Sequence, residues 1–150
     1  MRRVVLDTNA YAALSCGDER VLDALAAADR VYVPVFVFGE LLYGFKLGSK
    51  ELANRRLLEA FVRKPSVRAL DTSSETAEAF AALKSGLRQK GTPIPDNDLW
   101  IAAQCLETGS TLISFDRHFE SVAGLRLWLY EDPAEPDAEG PTQRDPEDAA

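Results

Sequence analysis

Four acidic residues stand beside or inside strongly apolar segments of the chain: Asp7, Glu40, Asp98 and Asp116. A carboxylate that leaves water loses hydration worth on the order of several kcal/mol, so acids in such places need a partner. Glu40 is the clearest example, because it lies in the middle of the apolar segment 35–42, where it cannot cap a helix. Only Asp116 has a basic residue adjacent to it in sequence, Arg117. The pattern predicts a shared partner for these carboxylates.

The residue types indicate what that partner is. Clustered carboxylates repel one another unless a cation neutralises them, and a site made of oxygens favours Mg²⁺ or Mn²⁺. Zinc is disfavoured, because Cys16 and Cys105 form no metal-ligand spacing and His118 is the single histidine. Ions held by carboxylates promote hydrolysis of phosphodiesters. The sequence therefore predicts a Mg²⁺ or Mn²⁺ site that acts on a nucleic-acid backbone.

Each carboxylate also has a purely structural interpretation. Asp7 could cap the helix that follows it, and Asp96 and Asp98 could be the cap and a first-turn acid of another helix. A distant arginine could neutralise Glu40. The residue types alone allow both the structural and the functional interpretation of each acid.

The elements that must position these acids alternate between strands and helices. Short apolar runs predict strands at 4–6, 31–33, 67–70, 111–115 and 125–129. Apolar spacing predicts a helix after Asp7 and further helices at 19–28, 35–46, 51–63 and 96–107, with another between a capping box at Thr72 and Glu75 and the stop at Gly91. This order predicts an α/β fold with three layers, helices covering both faces of a short, mainly parallel sheet of four to five strands. Such sheets bind ligands beyond the carboxyl ends of their strands, where Asp7 and Asp116 stand.

Charge and composition divide the chain into two parts. Residues 131–150 hold eight acids, one base and four of the eight prolines, without large apolar residues, which predicts a disordered tail. The net charge of −7 comes from this tail, since acids and bases balance in the predicted domain, 1–130. The segment 46–68 has seven basic residues and two acids. It could meet a polyanion or be a solvated helix face.

The chain lacks the features of a membrane or exported protein. Its longest apolar run, 31–38, is far shorter than the roughly 20 residues of a membrane-spanning helix and contains Pro34. The apolar stretch after Arg2 and Arg3 is too brief for a secretory signal. We therefore expect a cytoplasmic protein.

Four segments together resemble a PIN-domain ribonuclease of the VapC toxin type, over about residues 3–130. They are Val5-Leu6-Asp7-Thr8-Asn9, Gly39-Glu40-Leu41 with Gly44, the segment from Pro95 to Ala103 around Asp98, and the segment from Leu112 to Phe119 around Asp116. Their order and spacing carry the resemblance.

The resemblance implies a residue assignment. Asp7, Glu40, Asp98 and Asp116 would hold Mg²⁺ or Mn²⁺, with Asp7 and Asp98 as the most characteristic ligands. Polar groups that orient those carboxylates would be Thr8, Asn9 and Ser114. Asp96 is interpreted as a cap, and Asp116 occupies the least uniform position of the four acids. His118 could be a proton donor or a surface residue.

The resemblance also implies an activity and partners. The protein would be an endoribonuclease toxin that cleaves transfer or ribosomal RNA, inhibits translation, forms a homodimer and is neutralised by a cognate antitoxin. An antitoxin groove could use apolar residues of the helix 35–46, namely Phe36, Phe38, Leu42, Tyr43 and Phe45, although the core needs most of them. The acidic tail could fold over the segment 46–68 and mimic RNA.

Two other functions remain possible from the sequence. A receiver-like phosphoacceptor domain also clusters acids around Mg²⁺, but it needs paired acids after its first strand, where this chain has Asp7-Thr8-Asn9. In a non-catalytic PIN-like binding module, the acids would only neutralise buried bases. Loss of stability on replacing Asp98, without loss of metal binding, would indicate the binding module.

Overall fold

The computed structural model describes residues 1–128, so the predicted tail 131–150 and the end of the last predicted strand lie outside the described part. Five strands are present: β1 (Arg3–Leu6), β2 (Arg30–Pro34), β3 (Val67–Leu70), β4 (Thr111–Ile113) and β5 (Arg126–Leu127). Six α-helices accompany them: α1 (Thr8–Ser15), α2 (Glu19–Ala26), α3 (Val35–Leu47), α4 (Glu51–Val62), α5 (Ser74–Lys90) and α6 (Asp96–Thr108). A 3₁₀ turn occupies Arg117–Ser121.

The strands form one parallel sheet in the order β3-β2-β1-β4-β5. The chain moves outward from β1 through β2 to β3 and then returns past β1 to β4. Because parallel crossovers are right-handed, α1–α4 cover one face and α5 and α6 the other. The predicted three-layer α/β fold is confirmed. The connections diverge between the carboxyl ends of β1 and β4, which is where sheets of this kind open a crevice for ligands.

The central strand is apolar because both of its faces are covered. Val4, Val5 and Leu6 are all buried, and Leu6 is in register with Ile113 of β4. Burying each such side chain contributes roughly 1.5–3 kcal/mol, so the middle of the sheet is a rigid base for the residue that follows it. Asp7 is thereby fixed at the carboxyl edge of the sheet.

Helix α6 is held against the sheet by apolar packing and by two buried polar groups. The side chains of Leu99, Ile101, Ala102, Ala103 and Cys105 are buried, as the apolar composition of 96–107 predicts. The Gln104 amide donates to the Asp71 carbonyl at 2.9 Å, and the Thr76 hydroxyl donates to Glu107 Oε2 at 2.7 Å. These bonds fix the helix that carries Asp98.

Two predicted caps are wrong by one residue. Helix α5 is capped by Ser73, not Thr72, and its box partner is Thr76, not Glu75: the Ser73 hydroxyl accepts from the Thr76 amide, and the Thr76 hydroxyl accepts from the Ser73 amide. Thr76 suits this position because its buried hydroxyl also reaches α6. Helix α6 begins after Pro95, so Asp96 is a first-turn acid rather than the cap.

Two predicted strands and one helix are shorter than expected. Strand β4 ends at Ile113 instead of residue 115, because the Ser114 hydroxyl accepts a hydrogen bond from the Asp116 amide at 3.0 Å and turns the chain. Strand β5 covers only Arg126–Leu127 of the predicted 125–129, of which residue 129 is not described. Helix α2 ends at Ala26. No helix within residues 1–128 combines the length and the apolarity that crossing a bilayer requires.

Candidate metal centre

Asp7 is both the cap of α1 and the most buried acid of the site. Its Oδ1 accepts from the Ala10 amide at 2.8 Å, and its own amide donates to the Ile113 carbonyl at 3.2 Å. The side chain is 5% exposed. The structural interpretation of Asp7 is therefore correct, and it does not exclude the functional one, because the cap uses one carboxylate oxygen.

The electrostatic surroundings of Asp7 show that acids converge here. Burial raises its pKa from 3.8 to about 6, although hydrogen bonds from Ser114 and from the Ala10 amide act in the opposite direction. The negative charges of Asp98 and Asp116 raise the pKa further. Three acids from distant parts of the sequence therefore repel one another at one edge of the sheet, which is the situation that a cation relieves.

Glu40 reaches the same edge from α3, but it is not buried as its apolar neighbours suggest. It is half-buried at the rim, where Thr8 Oγ1 donates to its Oε2 at 2.5 Å and Asn97 Nδ2 donates to its Oε1 at 3.2 Å. Both donors are neutral, so they orient the carboxylate without cancelling its charge. Asn97, which precedes Asp98 in α6, was missed by sequence reasoning.

Asp98 and Asp116 flank the ring of His118. The Nε2 atom of His118 lies 2.5 Å from Asp98 Oδ2, and Nδ1 lies 2.7 Å from Asp116 Oδ1. An imidazole donates from both nitrogens only when it is protonated. Burial raises the pKa of Asp98, contact with His118 lowers it, and the charges of Asp116 and Glu40 raise it. The ring of His118 thus stands between two carboxylates, with one nitrogen against each.

His118 lies within the acidic cluster. Its side chain is about one third exposed, and one ligand atom each from Asp98, Asp116 and His118 lie within 4.8 Å of one another. The 3₁₀ turn makes this possible, because it begins at Asp116, whose Oδ1 accepts from the His118 amide at 3.3 Å. The sequence contains one signal for this arrangement: Asp116 and His118 lie two residues apart, shortly after a predicted strand.

The predicted polar residues do not all join the cluster. Thr8 bonds Glu40, and Ser114 bonds both Asp7 and the backbone at Asp116. Asn9 is exposed, and none of the hydrogen bonds found in residues 1–128 connects its side chain to the cluster. Asp96 is exposed as well and pairs with Lys84 at 3.0 Å. The predicted acids nevertheless lie on the elements that meet at this edge.

The donor set fits a hard divalent cation. Carboxylate oxygens dominate it, and imidazole nitrogen is an acceptable additional ligand for Mn²⁺ but a poor one for Mg²⁺. Burial is the main cause of the raised pKa of Asp7, and the nearby charges of Asp98 and Asp116 add to it, so a cation at this edge would stabilise the ionised carboxylates. Asp98 of α6, together with Asp116 and His118 of the turn after β4, can therefore hold Mg²⁺ or Mn²⁺, with the Asp7 carboxylate beside them.

Comparison with known proteins identifies the family. The PIN domain family model matches residues 4–125. The chain belongs to the PIN-domain family. This PIN domain is 30% identical over 131 residues to Ribonuclease VapC2 of Haemophilus influenzae, covering 84% of this chain and 96% of that protein. It is 29% identical over 107 residues to Ribonuclease VapC2 of Rickettsia felis, covering 71% of this chain and 78% of that protein.

A solved structure shows the same fold in an assembly. The structure of VapBC2 from Rickettsia felis bound to a DNA fragment from their promoter matches this PIN domain with a TM-score of 0.75 and 25% identity. The match covers 86% of this chain and 99% of that one. The resemblance to VapC ribonucleases is thereby confirmed. The family assignment also favours the PIN-domain interpretation over a receiver-like domain.

Proposed function

We propose that this PIN domain is a metal-dependent endoribonuclease toxin that hydrolyses RNA phosphodiester bonds until a cognate antitoxin binds it. The observation that carries the proposal is the acidic cluster at the switch point of the sheet, where ligand atoms of Asp98, Asp116 and His118 lie within 4.8 Å of one another and Asp7 and Glu40 lie beside them. The named relatives are ribonucleases, which supports the activity. We expect transfer or ribosomal RNA to be the target and inhibition of translation in the cytoplasm to be the result. We expect the protein to form a homodimer.

In this proposal the protein residues position the reaction. Asp7, Asp98 and Asp116 hold the cation, and Glu40 completes the acidic rim. When bound, Mg²⁺ or Mn²⁺ supplies an activated water and stabilises charge on the phosphate. Thr8 and Asn97 fix the orientation of Glu40, and Ser114 fixes Asp7. Asn9, which is exposed beside them, is free to meet RNA or water at the rim.

Cleavage of purified RNA tests the activity directly. We expect the protein, freed of any bound partner, to cut total RNA at a few discrete sites with Mg²⁺ or Mn²⁺ and to stop when EDTA is added. Mapping the cut ends would identify the target. Uncut RNA, from a folded protein that binds neither cation, would contradict the proposal and favour the non-catalytic binding module.

Two of the five residues predicted for the antitoxin groove, Phe38 and Leu42, line an open pocket of about 330 Å³ beside α4. On α3, Phe36, Phe38, Leu42 and Phe45 pack against the core, and Tyr43 alone of the five predicted residues is exposed. A larger open apolar groove of about 480 Å³ lies between α1, α2 and α4. Its walls include Tyr11, Leu14, Leu22, Leu25, Leu57 and Phe61. The related VapBC structures contain an antitoxin, and an apolar segment of the cognate antitoxin fits this groove.

A charge placed in the groove should weaken the complex. Leu57 lies in the groove and is 61% exposed, so we expect Leu57→Asp to fold normally and to lower affinity for the cognate antitoxin at least about tenfold. Titration calorimetry measures the change. Leu52→Asp is the matched control, because Leu52 is 63% exposed on the same helix and does not line the groove. Equal affinity of the two variants would assign the antitoxin to another surface.

A further inference from the structure

A second pocket adjoins the acidic cluster. It is open, has a volume of about 450 Å³ and lies between the first half of α3 and the start of α6. Its lining consists of Val35, Phe36, Gly39, Glu40, Tyr43 and Asn97. Two of these residues, Glu40 and Asn97, also belong to the candidate metal centre. A molecule bound at the acids can therefore extend into this pocket without a break.

One residue that lines the pocket, Phe36, belongs to a stack of three aromatic rings. Phe36 stacks on Trp100 with ring centroids 5.4 Å apart and planes 9° from parallel, and Trp100 stacks in turn on Phe80 at 4.0 Å and 15°. The stack spans α3, α6 and α5, so its rings are held by three helices. Two helical turns further along the same face of α3, Tyr43 also lines the pocket and is 65% exposed. A planar apolar group can enter here and continue the stack.

The charges around the pocket select its occupant. The carboxylate of Glu40 stands at its rim, so a phosphate would be repelled there, whereas a neutral planar base would not. Aromatic side chains bind single-stranded nucleic acids by stacking on their bases. We propose that the pocket binds one unstacked nucleobase of the RNA, adjacent to the phosphate that lies at the acidic cluster. This proposal rests on the proposed ribonuclease function. Because the lining is mostly apolar, we expect the pocket to accept any unpaired base and not to select one base over another.

Gly39 keeps the pocket open. A Cβ added at this position would meet no atom within 4 Å, because the glycine faces the open space beside Glu40 and Tyr43. A leucine at position 39 has room for its Cβ and would occupy part of the pocket. Gly44 is also exposed on α3 with no atom within 4 Å of an added Cβ, and it does not line the pocket. The chain thus offers the same substitution inside and outside the proposed subsite.

The test compares Gly39→Leu with Gly44→Leu in two assays. Binding of fluorescently labelled single-stranded oligo(A) and oligo(U) is measured by anisotropy in the Asp98→Asn background, and cleavage of RNA is measured in the active protein. We expect Gly39→Leu to weaken oligonucleotide binding and to raise KM, each by about tenfold, and Gly44→Leu to match the parent. Tyr43→Ala should weaken binding in the same direction, and Tyr43→Phe should restore it.

The outcomes separate this proposal from the proposed function. If the parent cleaves RNA and Gly39→Leu retains its KM and its oligonucleotide affinity, the nucleobase subsite is wrong and the ribonuclease stands. If the parent does not cleave RNA, the ribonuclease fails, and the binding assay alone decides the subsite. A changed sedimentation coefficient of Gly39→Leu with unaltered RNA affinity would assign the pocket to self-association and overturn the proposal.

Discussion

The Asp98→Asn variant is expected to lose RNA cleavage, with kcat/KM reduced by at least about 10³-fold, since cation-based charge stabilisation supplies several kcal/mol and each 1.36 kcal/mol is a factor of ten. Asp98 lies in the first turn of α6, half-buried, with Oδ2 against His118. Asparagine keeps the size of the side chain and can keep that contact, but it removes a charged ligand. The loss should therefore appear in catalysis and not in folding.

Asp96→Asn provides the control for this variant. Asp96 is in the same helical turn, but it is exposed and paired with Lys84 instead of the acidic cluster. We expect it to cleave RNA at nearly the parental rate. Cleavage rates of both variants with saturating Mg²⁺ or Mn²⁺, together with their circular dichroism spectra, test the prediction. Comparable activity of the two variants, or unfolding of Asp98→Asn, would show that Asp98 does not have the assigned role.

The Asp7→Asn variant is expected to be more stable than the parent at neutral pH without metal, by about 3 kcal/mol. The pKa of Asp7 is about 6 in the folded protein and 3.8 ordinarily, so the folded state binds the proton more tightly. Ionisation of Asp7 therefore lowers the free energy of unfolding as pH rises from about 4 to 6, and the penalty is complete above that range. Asparagine carries no charge and can still cap α1.

Urea unfolding in EDTA measures this gain at pH 7.5 and again near pH 3.5, where we expect it to disappear. Asp18→Asn is the control of opposite sign: Asp18 also caps a helix, but its hydrogen bond with Arg20 holds its pKa at about 2. Replacing Asp18 should reduce stability at neutral pH. Added Mg²⁺ should stabilise the parent more than Asp7→Asn. A less stable Asp7→Asn at pH 7.5 would mean that the carboxylate serves structure alone.

Parts of the site could be predicted because local sequence encodes them. A charge directly after a buried strand identifies Asp7, and a charge inside an apolar helix identifies Glu40. The partners of these acids could not be predicted, since Asn97 and His118 reach them only through the packing of α6 and the turn after β4. Features that depend on neighbouring residues in the sequence could be predicted. Contacts between elements that only folding brings together could not.

The fold shows the same division. The buried strands and the apolar helix α6 were recognisable because parallel sheets demand continuous apolar runs. The exact ends of the elements were not recognisable. Helix α5 begins where the Ser73 hydroxyl caps it, and β4 ends where the Ser114 hydroxyl accepts from the Asp116 amide, but neighbouring polar residues could have made similar hydrogen bonds. The apolar groove beside Leu57 was also missed, because exposure of a leucine depends on which helix face remains uncovered.

The pairing of β1 with β4 also governs when the site can exist. Asp7 is near the start of the chain, and the carbonyl that its amide contacts belongs to Ile113. Closing so long a loop is slow compared with forming local helices, so this edge is completed late in folding. A nascent chain still lacking residues 111–118 has no Asp116 and no His118, and its first strand has no neighbour on that side. The complete acidic edge therefore cannot form until the chain has been synthesised past residue 118.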